Sequence, residues 1–253
     1  MTQHTERFTN RVENYIKSRP GYPDLVLDTL RKSCGLAPSW PVADIGSGTG
    51  LLTELFLKNG NTVYGVEPNG EMRDASVKLL AQYPKYRAVD GSAEDSKLPA
   101  ASVRLITAAQ AFHWFDQAKA RREFQRILQP GGYAAIIFNT RKVEGSPLGE
   151  DYEVIVRKYG TNYTDLRHEN LSDAEIAGFF GPKGCAKTTC PNNQLFDLEG
   201  FRGRIASMSW VPVKGQPGYD EMMRELEPVF GRHQKNGKVL FEYVTELHYG
   251  QVS

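Results

Sequence analysis

The chain has 253 residues, 40% of them hydrophobic and 24% charged, with 31 Lys and Arg against 30 Asp and Glu. That length can bury the core of one large domain, and a net charge of +1 offers no footprint for a long polyanion. The polar opening, residues 1–7, lacks the apolar centre of a signal peptide. The longest apolar run, Tyr133 to Phe138, is far too short to span a bilayer. Cys34, Cys185 and Cys190 are odd in number and scattered, so they read as free thiols in a reducing, cytoplasmic compartment, and no metal site is expected of them.

A short helix is expected over 7–17, with Phe8, Val12, Tyr15 and Ile16 on one face, ended by Pro20 and Pro23. A second runs over 23–34 and is stopped by Gly35. Alternation then begins. Strands are expected at 42–46, 62–66, 86–89, 103–108 and 133–138, with helices at 50–58, 69–82 and 116–129 between them. Gly60, Pro84 and Pro130-Gly131-Gly132 mark the ends. This rhythm predicts an α/β fold, a parallel sheet doubly wound with helices. After Asn139 it breaks. Helices are expected over 152–159, 172–180, 198–208 and 219–233, and single strands over 187–195 and 238–252. The expected organisation is one domain over 1–253. Its parts are an N-terminal arm (1–35), a cofactor-binding core (40–140), an inserted helical cap (141–215) and a closing helix and strand (216–253).

Val42-Ala43-Asp44-Ile45 runs directly into Gly46-Ser47-Gly48-Thr49-Gly50, and an acid, Glu67, ends the next apolar run. Strand, glycine turn, helix, strand and acid make up a nucleoside-binding βαβ unit. The glycines admit a ligand close to the backbone, and the acid suits ribose hydroxyls. Glu67 before Pro68-Asn69 also suits the cap of the next helix. Leu51 stands where the third glycine of a dinucleotide turn belongs, and the Gly-Lys-Ser/Thr of a P-loop is missing. The turn has no base to meet a pyrophosphate. Asp44 would repel one and attract an ammonium. S-adenosylmethionine, with an ammonium, a sulfonium and a ribose but no phosphate, suits this turn better than NAD.

Several stretches in order carry a family resemblance. They are Val42–Leu51, Val63-Tyr64-Gly65-Val66-Glu67-Pro68-Asn69-Gly70-Glu71-Met72, Asp90-Gly91-Ser92-Ala93-Glu94-Asp95 and Leu128-Gln129-Pro130-Gly131-Gly132-Tyr133. Together they resemble the class I S-adenosylmethionine-dependent methyltransferases, in the methyltransferase type 11 group that includes trans-aconitate- and ubiquinone-type enzymes. The resemblance implies a Rossmann-like sheet of seven strands, the last antiparallel. It implies S-adenosyl-L-methionine as cofactor, held by Asp44, Gly46, Ser47, Gly48, Gly50, Glu67, Pro68 and Met72, with Ala93 and Glu94 beside the adenine.

Residues 108–116 follow the fourth strand, beside the expected methyl. Gln110 would touch the methionine part of the cofactor. Trp114 either faces the sulfonium or packs in the core. His113 either takes a proton from a hydroxyl or amine acceptor or is structural. Asp116 caps the next helix rather than acting as a base. In similar enzymes the N-terminal arm closes over the cofactor, which would bring Tyr15 and Arg19 to it; a surface helix is the plain alternative. Residues 141–215 would line the acceptor pocket, with Tyr152, Tyr159, Tyr163, His168, Phe179, Phe180 and Trp210 as unranked candidates. The expected function is methyl transfer to O, N or C of a small organic molecule by a monomer or homodimer, with no nucleic-acid or membrane partner. The rivals are an NAD-dependent oxidoreductase, a nucleic-acid methyltransferase and a non-catalytic binding module. The Asn/Asp-Pro-Pro-aromatic signature of amino-methylating nucleic-acid enzymes is replaced here by Ala111-Phe112-His113-Trp114.

Overall fold

The computed structural model describes residues 20–160, 171–208 and 210–253. The candidate residues Tyr15, Arg19, Tyr163 and His168 and the expected helix over 7–17 lie outside them. The chain forms two compact units. One is built from 21–138, 171–190 and 245–253, the other from 20, 139–160, 191–208 and 210–244.

The first unit opens with helix α1, Leu25–Cys34. It ends as the sequence predicts, on Gly35 in the left-handed region (φ 77°). There Gly35 N–H donates to Arg31 O and Leu36 N–H to Leu30 O, each at 3.2 Å, which satisfies the last carbonyls of the helix. The alternating elements follow: β1 (Pro41–Ile45), α2 (Leu51–Lys58), β2 (Thr62–Val66), α3 (Gly70–Leu79), β3 (Tyr86–Val89) and β4 (Val103–Ala109). A single 3₁₀ turn, Phe112–Trp114, leads to α4 (Gln117–Ile127) and β5 (Leu128–Arg141). Strands β3, β2, β1, β4 and β5 are neighbours in that order, all parallel. The sheet of seven strands is completed by β9 (Tyr243–Gly250) and β6 (Ala186–Pro191), and its last strand in sequence runs antiparallel. Helix α6 (Asp173–Phe180) also belongs to this unit, and Ser172 and Glu175 form its reciprocal capping box.

Period-two alternation decides which face each strand residue covers. Ala43, Ile45, Ile106, Ala134, Ile136 and Phe138 join one core with Phe112, Phe124 and Phe179. Val42, Leu105, Ala135 and Ile137 join the opposite core with Leu27, Leu30 and Phe56. The central strands are therefore apolar on both faces, as a parallel sheet covered by helices requires.

The second unit has its own core of Tyr152, Val156, Phe201, Met222, Leu226 and Phe241 among others. It is built from α5 (Pro147–Tyr159), β7 (Gln194–Phe196), α7 (Leu198–Ala206), α8 (Tyr219–His233) and β8 (Val239–Phe241). Strands β7 and β8 pair antiparallel in a sheet of two.

Four sequence expectations are corrected. The strand expected over 187–195 is two strands, β6 and β7, in different sheets, and so is the one expected over 238–252, which divides into β8 and β9. Pro191 has no N–H to continue the first. Strand β5 begins at Leu128 rather than 133: Leu128 pairs with Val103 and Tyr133 with Leu105, so Pro130-Gly131-Gly132 is absorbed as an irregularity within the ladder. Helix α5 begins at Pro147, five residues before the expected start. Ser146 caps it by accepting from Gly149 N–H, and proline is at home in a first turn.

Candidate active site

The glycine turn stands at the carboxyl end of β1, between β2 and β4, where a parallel sheet opens its crevice. Gly46, Gly48 and Gly50 all take positive φ, 70°, 56° and 90°. At Gly46 a Cβ would lie 2.6 Å from Ala111 Cβ, so only glycine lets the turn pass under the segment that follows β4. Gly46 and Ser47 N–H both donate to Val66 O, at 2.8 and 3.2 Å, which ties the turn to β2.

Glu67 is 8% exposed. Its Oε2 accepts from Gly48 N–H at 2.8 Å and its Oε1 from Asn69 N–H at 2.9 Å. The carboxylate thus bridges the two βα turns. Burial raises its pKa, against those two N–H groups and the nearby Arg73. Helix α3 is capped by Asn69, which accepts from Met72 N–H at 3.0 Å, so the capping role weighed for Glu67 falls to its neighbour. Pro68 is exposed and Met72 is buried, its sulfur 3.9 Å from where a Cβ on Gly48 would stand.

Asp44 is 1% exposed. Thr53 Oγ1 donates to its Oδ2 at 2.6 Å and Thr107 Oγ1 to its Oδ1 at 2.9 Å. Both oxygens are engaged by protein hydroxyls, which fastens β1 to α2 and β4. Burial raises the carboxyl to about 6; the two hydroxyls oppose this and the charge of Glu67 adds to it. The two acids therefore share one electrostatic neighbourhood.

After β4, Gln110 sits at φ 53°, a costly conformation for a residue with a side chain. Its N–H donates to Ile137 O at 2.9 Å. Phe112 anchors the 3₁₀ turn in the core, edge-on to Phe179 at 4.8 Å. His113 and Trp114 are half-buried, their rings 4.6 Å apart, and His113 lies 6.4 Å from Phe138. Asp116 caps α4, as expected, by accepting from Lys119 N–H at 3.1 Å. Its own N–H donates to Glu94 Oε1 at 2.9 Å, so Glu94 links the two loops. Ala93 is buried in the adjoining core. Of the acceptor candidates, Tyr152, Phe179 and Phe180 are core residues.

Sequence reasoning missed the supports of this site. Tyr86 packs where a Cβ on Gly65 would lie only 2.8 Å from its hydroxyl, and Ser47 Oγ is 3.1 Å from the same point. Its hydroxyl pairs with Ser76 Oγ at 2.6 Å. Arg73 Nη1 donates to Glu67 O at 2.7 Å and to Asp90 Oδ1 at 3.1 Å. These are contacts across 6 to 21 residues of chain, which local periodicity does not encode. The one signal available was the glycine at 65, a gap in an otherwise apolar strand.

The residues fit a nucleoside without phosphates. Ser47 Oγ and Thr49 Oγ1 are buried donors with no partner among the described residues, and Glu67 presents a fixed acceptor. No Lys or Arg lies within 44–50. Elsewhere, Asp173, Glu246 and His248 gather donor atoms within 4.8 Å, and Lys187 already supplies a cation to both carboxylates.

The chain matches the methyltransferase-domain family over residues 43–136. An uncharacterized methyltransferase of Mycobacterium tuberculosis is 39% identical over 134 residues, 53% of this chain and 52% of that protein. The chain spans about half the length of such curated relatives. Another, from Schizosaccharomyces pombe, is 24% identical over 94% of both chains. A solved protein of Anaeromyxobacter dehalogenans assigned as a type II methyltransferase shares the fold, with TM-score 0.63 and 21% identity over 92% of this chain and 98% of that one. The fold also matches Haemonchus contortus phosphoethanolamine N-methyltransferase 2, solved with S-adenosylhomocysteine, with TM-score 0.59 and 14% identity over 100% of this chain and 61% of that one. Strand order, glycine turn and the match over residues 43–136 agree in likening this part of the chain to a methyltransferase domain.

Proposed function

We propose that the protein binds S-adenosyl-L-methionine at the β1–β2 crevice and transfers its methyl group to O, N or C of a small organic acceptor. The observation that carries this reading is the Glu67 carboxylate, held by Gly48 and Asn69 N–H at 2.8 and 2.9 Å. Its remaining lone pairs suit a ribose diol. Ser47 and Thr49 offer hydroxyls, Met72 and Ala93 apolar contact, and Pro68 and Glu94 the rims of their loops. Asp44 acts from beneath, bracing the turn through Thr53 and Thr107. When bound, the cofactor supplies an already activated methyl on a sulfonium. Gln110 and the Trp114 ring would position it, the ring attracting positive charge by roughly 0.5–2 kcal/mol. His113 is the candidate to take the proton that a hydroxyl or amine acceptor releases. Alignment of acceptor and methyl supplies much of the acceleration in such displacements, so a base is an addition rather than a requirement. The three free thiols support a reducing compartment. Among the described residues no helix is long and apolar enough to cross a membrane.

Calorimetry tests the reading. S-adenosylhomocysteine should release heat on binding and NAD should not, and Glu67→Ala should weaken the first by about tenfold to a hundredfold, the scale of a lost charge-assisted pair. Heat with NAD and none with S-adenosylhomocysteine would overturn it.

A further inference from the structure

The second unit buries two guanidinium groups, and they are not balanced alike. Arg141 in β5 donates from Nη1 to Glu153 at 3.2 Å and to Tyr152 Oη at 3.3 Å. Arg204 in α7 is 2% exposed. Its Nε donates to Tyr243 Oη and its Nη1 to Ser207 Oγ, the latter at 3.2 Å. Both partners are neutral. Among the described residues no carboxylate pairs with Arg204.

The acids next in sequence to Tyr152, Phe241 and Tyr243 are committed elsewhere. Glu153 is shared by Arg141 and Arg157, Asp151 is held by Arg232 and His233, and Glu242 by Lys142. Arginine cannot escape by losing its proton, and a buried charge without a counter-charge is costly. The rings of Phe241 and Tyr243, each 5.4 Å from the guanidinium carbon, satisfy its face. They do nothing for the N–H groups along its edge. Nη2 makes no hydrogen bond among the described residues, yet it is not sealed from solvent. Tyr152, whose hydroxyl burial makes harder to ionise, feels the opposing pull of both Arg141 and Arg204, so the two cations act on one spot.

We propose that Arg204 anchors an oxyanion-binding site within this unit, taking the carboxylate of a small organic acid or a phosphate group. Tyr243 and Ser207 hold the guanidinium fork in plane, and Nη2 with the second Nη1 proton forms the docking edge. The site stands on these residues alone and does not depend on the methyltransferase reading.

The test uses the full chain, labelled for arginine Nε–H correlation spectra, with the Arg204 signal assigned by its loss in Arg204→Lys. Malonate and inorganic phosphate are titrated at constant ionic strength, with chloride as control. A saturable shift of the Arg204 signal is expected, and Arg204→Lys, which keeps the charge but loses the fork, should bind at least about tenfold more weakly. A response to malonate alone assigns a carboxylate ligand, to phosphate alone a phosphate ligand, and to both a shared oxyanion site. No response to either, or an equal response to chloride, overturns the proposal. If the variant does not fold, spectra of the wild-type chain still decide, since one arginine signal must move with malonate or phosphate and stay with chloride. Calorimetry with S-adenosylhomocysteine on the same sample reports on the β1–β2 crevice separately.

Discussion

At residue scale the least ordinary group is Asp44, an acid with both oxygens on hydroxyls and another acid in electrostatic reach. Its folded pKa, about 6, lies above the ordinary 3.8. The folded chain therefore holds a proton there that the unfolded chain has lost. The associated stability is complete below about pH 3.8 and disappears as pH rises through about 6, a change on the order of 3 kcal/mol. Asp44→Asn has nothing to ionise. The wild type's stability relative to Asp44→Asn should fall between pH 4 and pH 7, and urea titrations of the two proteins across that range measure it. A constant difference would place the proton elsewhere. The sequence reading gave Asp44 an ammonium to meet. An acid beside glycines carries no mark of the hydroxyls at 53 and 107 that converge on it, because they arrive from another helix and another strand.

At the scale of elements, helix α3 shows how cap and site are coupled. Asn69 accepts from Met72 N–H with its side chain while its own N–H donates to Glu67. Asn69→Ala removes the first bond and keeps the second. It should cost about 1 kcal/mol, as N-cap losses do, read as a lower denaturation midpoint with an unchanged slope. Most elements of the first unit were legible because each is a run of one period bounded by Gly or Pro. Gly35 stopped α1 and Asp116 began α4 as expected. The errors came where that logic has no handle. Residues 187–195 and 238–252 each read as one alternating strand, and alternation says nothing about which sheet a strand joins. The Pro-Gly-Gly before Tyr133 read as a turn, while pairing with β4 drew it into β5. The supports of the site, Tyr86 and Arg73, left no local signal beyond the glycine at 65.

At the scale of the molecule, the chain has separate cores with no residue in common between the sheet unit and the helical unit. Phe124 belongs to the first and Phe241 to the second, each 1% exposed. Replacing either by Ala should cost about 3–5 kcal/mol. The double variant should equal the sum of the two within about 0.5 kcal/mol, as it does for sites that share no partner. A larger departure in chemical denaturation would show the two cores to be energetically coupled.

The position of β9 in the sheet has a further consequence. It separates β5 from β6, yet it is the last strand to be made. During synthesis the fourteen-residue β5 has no partner on that side until about a hundred more residues have been added, a wait on the order of 5–20 s at ordinary translation rates. For that time the nascent chain carries a long open edge of the kind that recruits foreign strands. A chain stopped short of β9 would thus be a client for chaperones rather than a smaller folded protein.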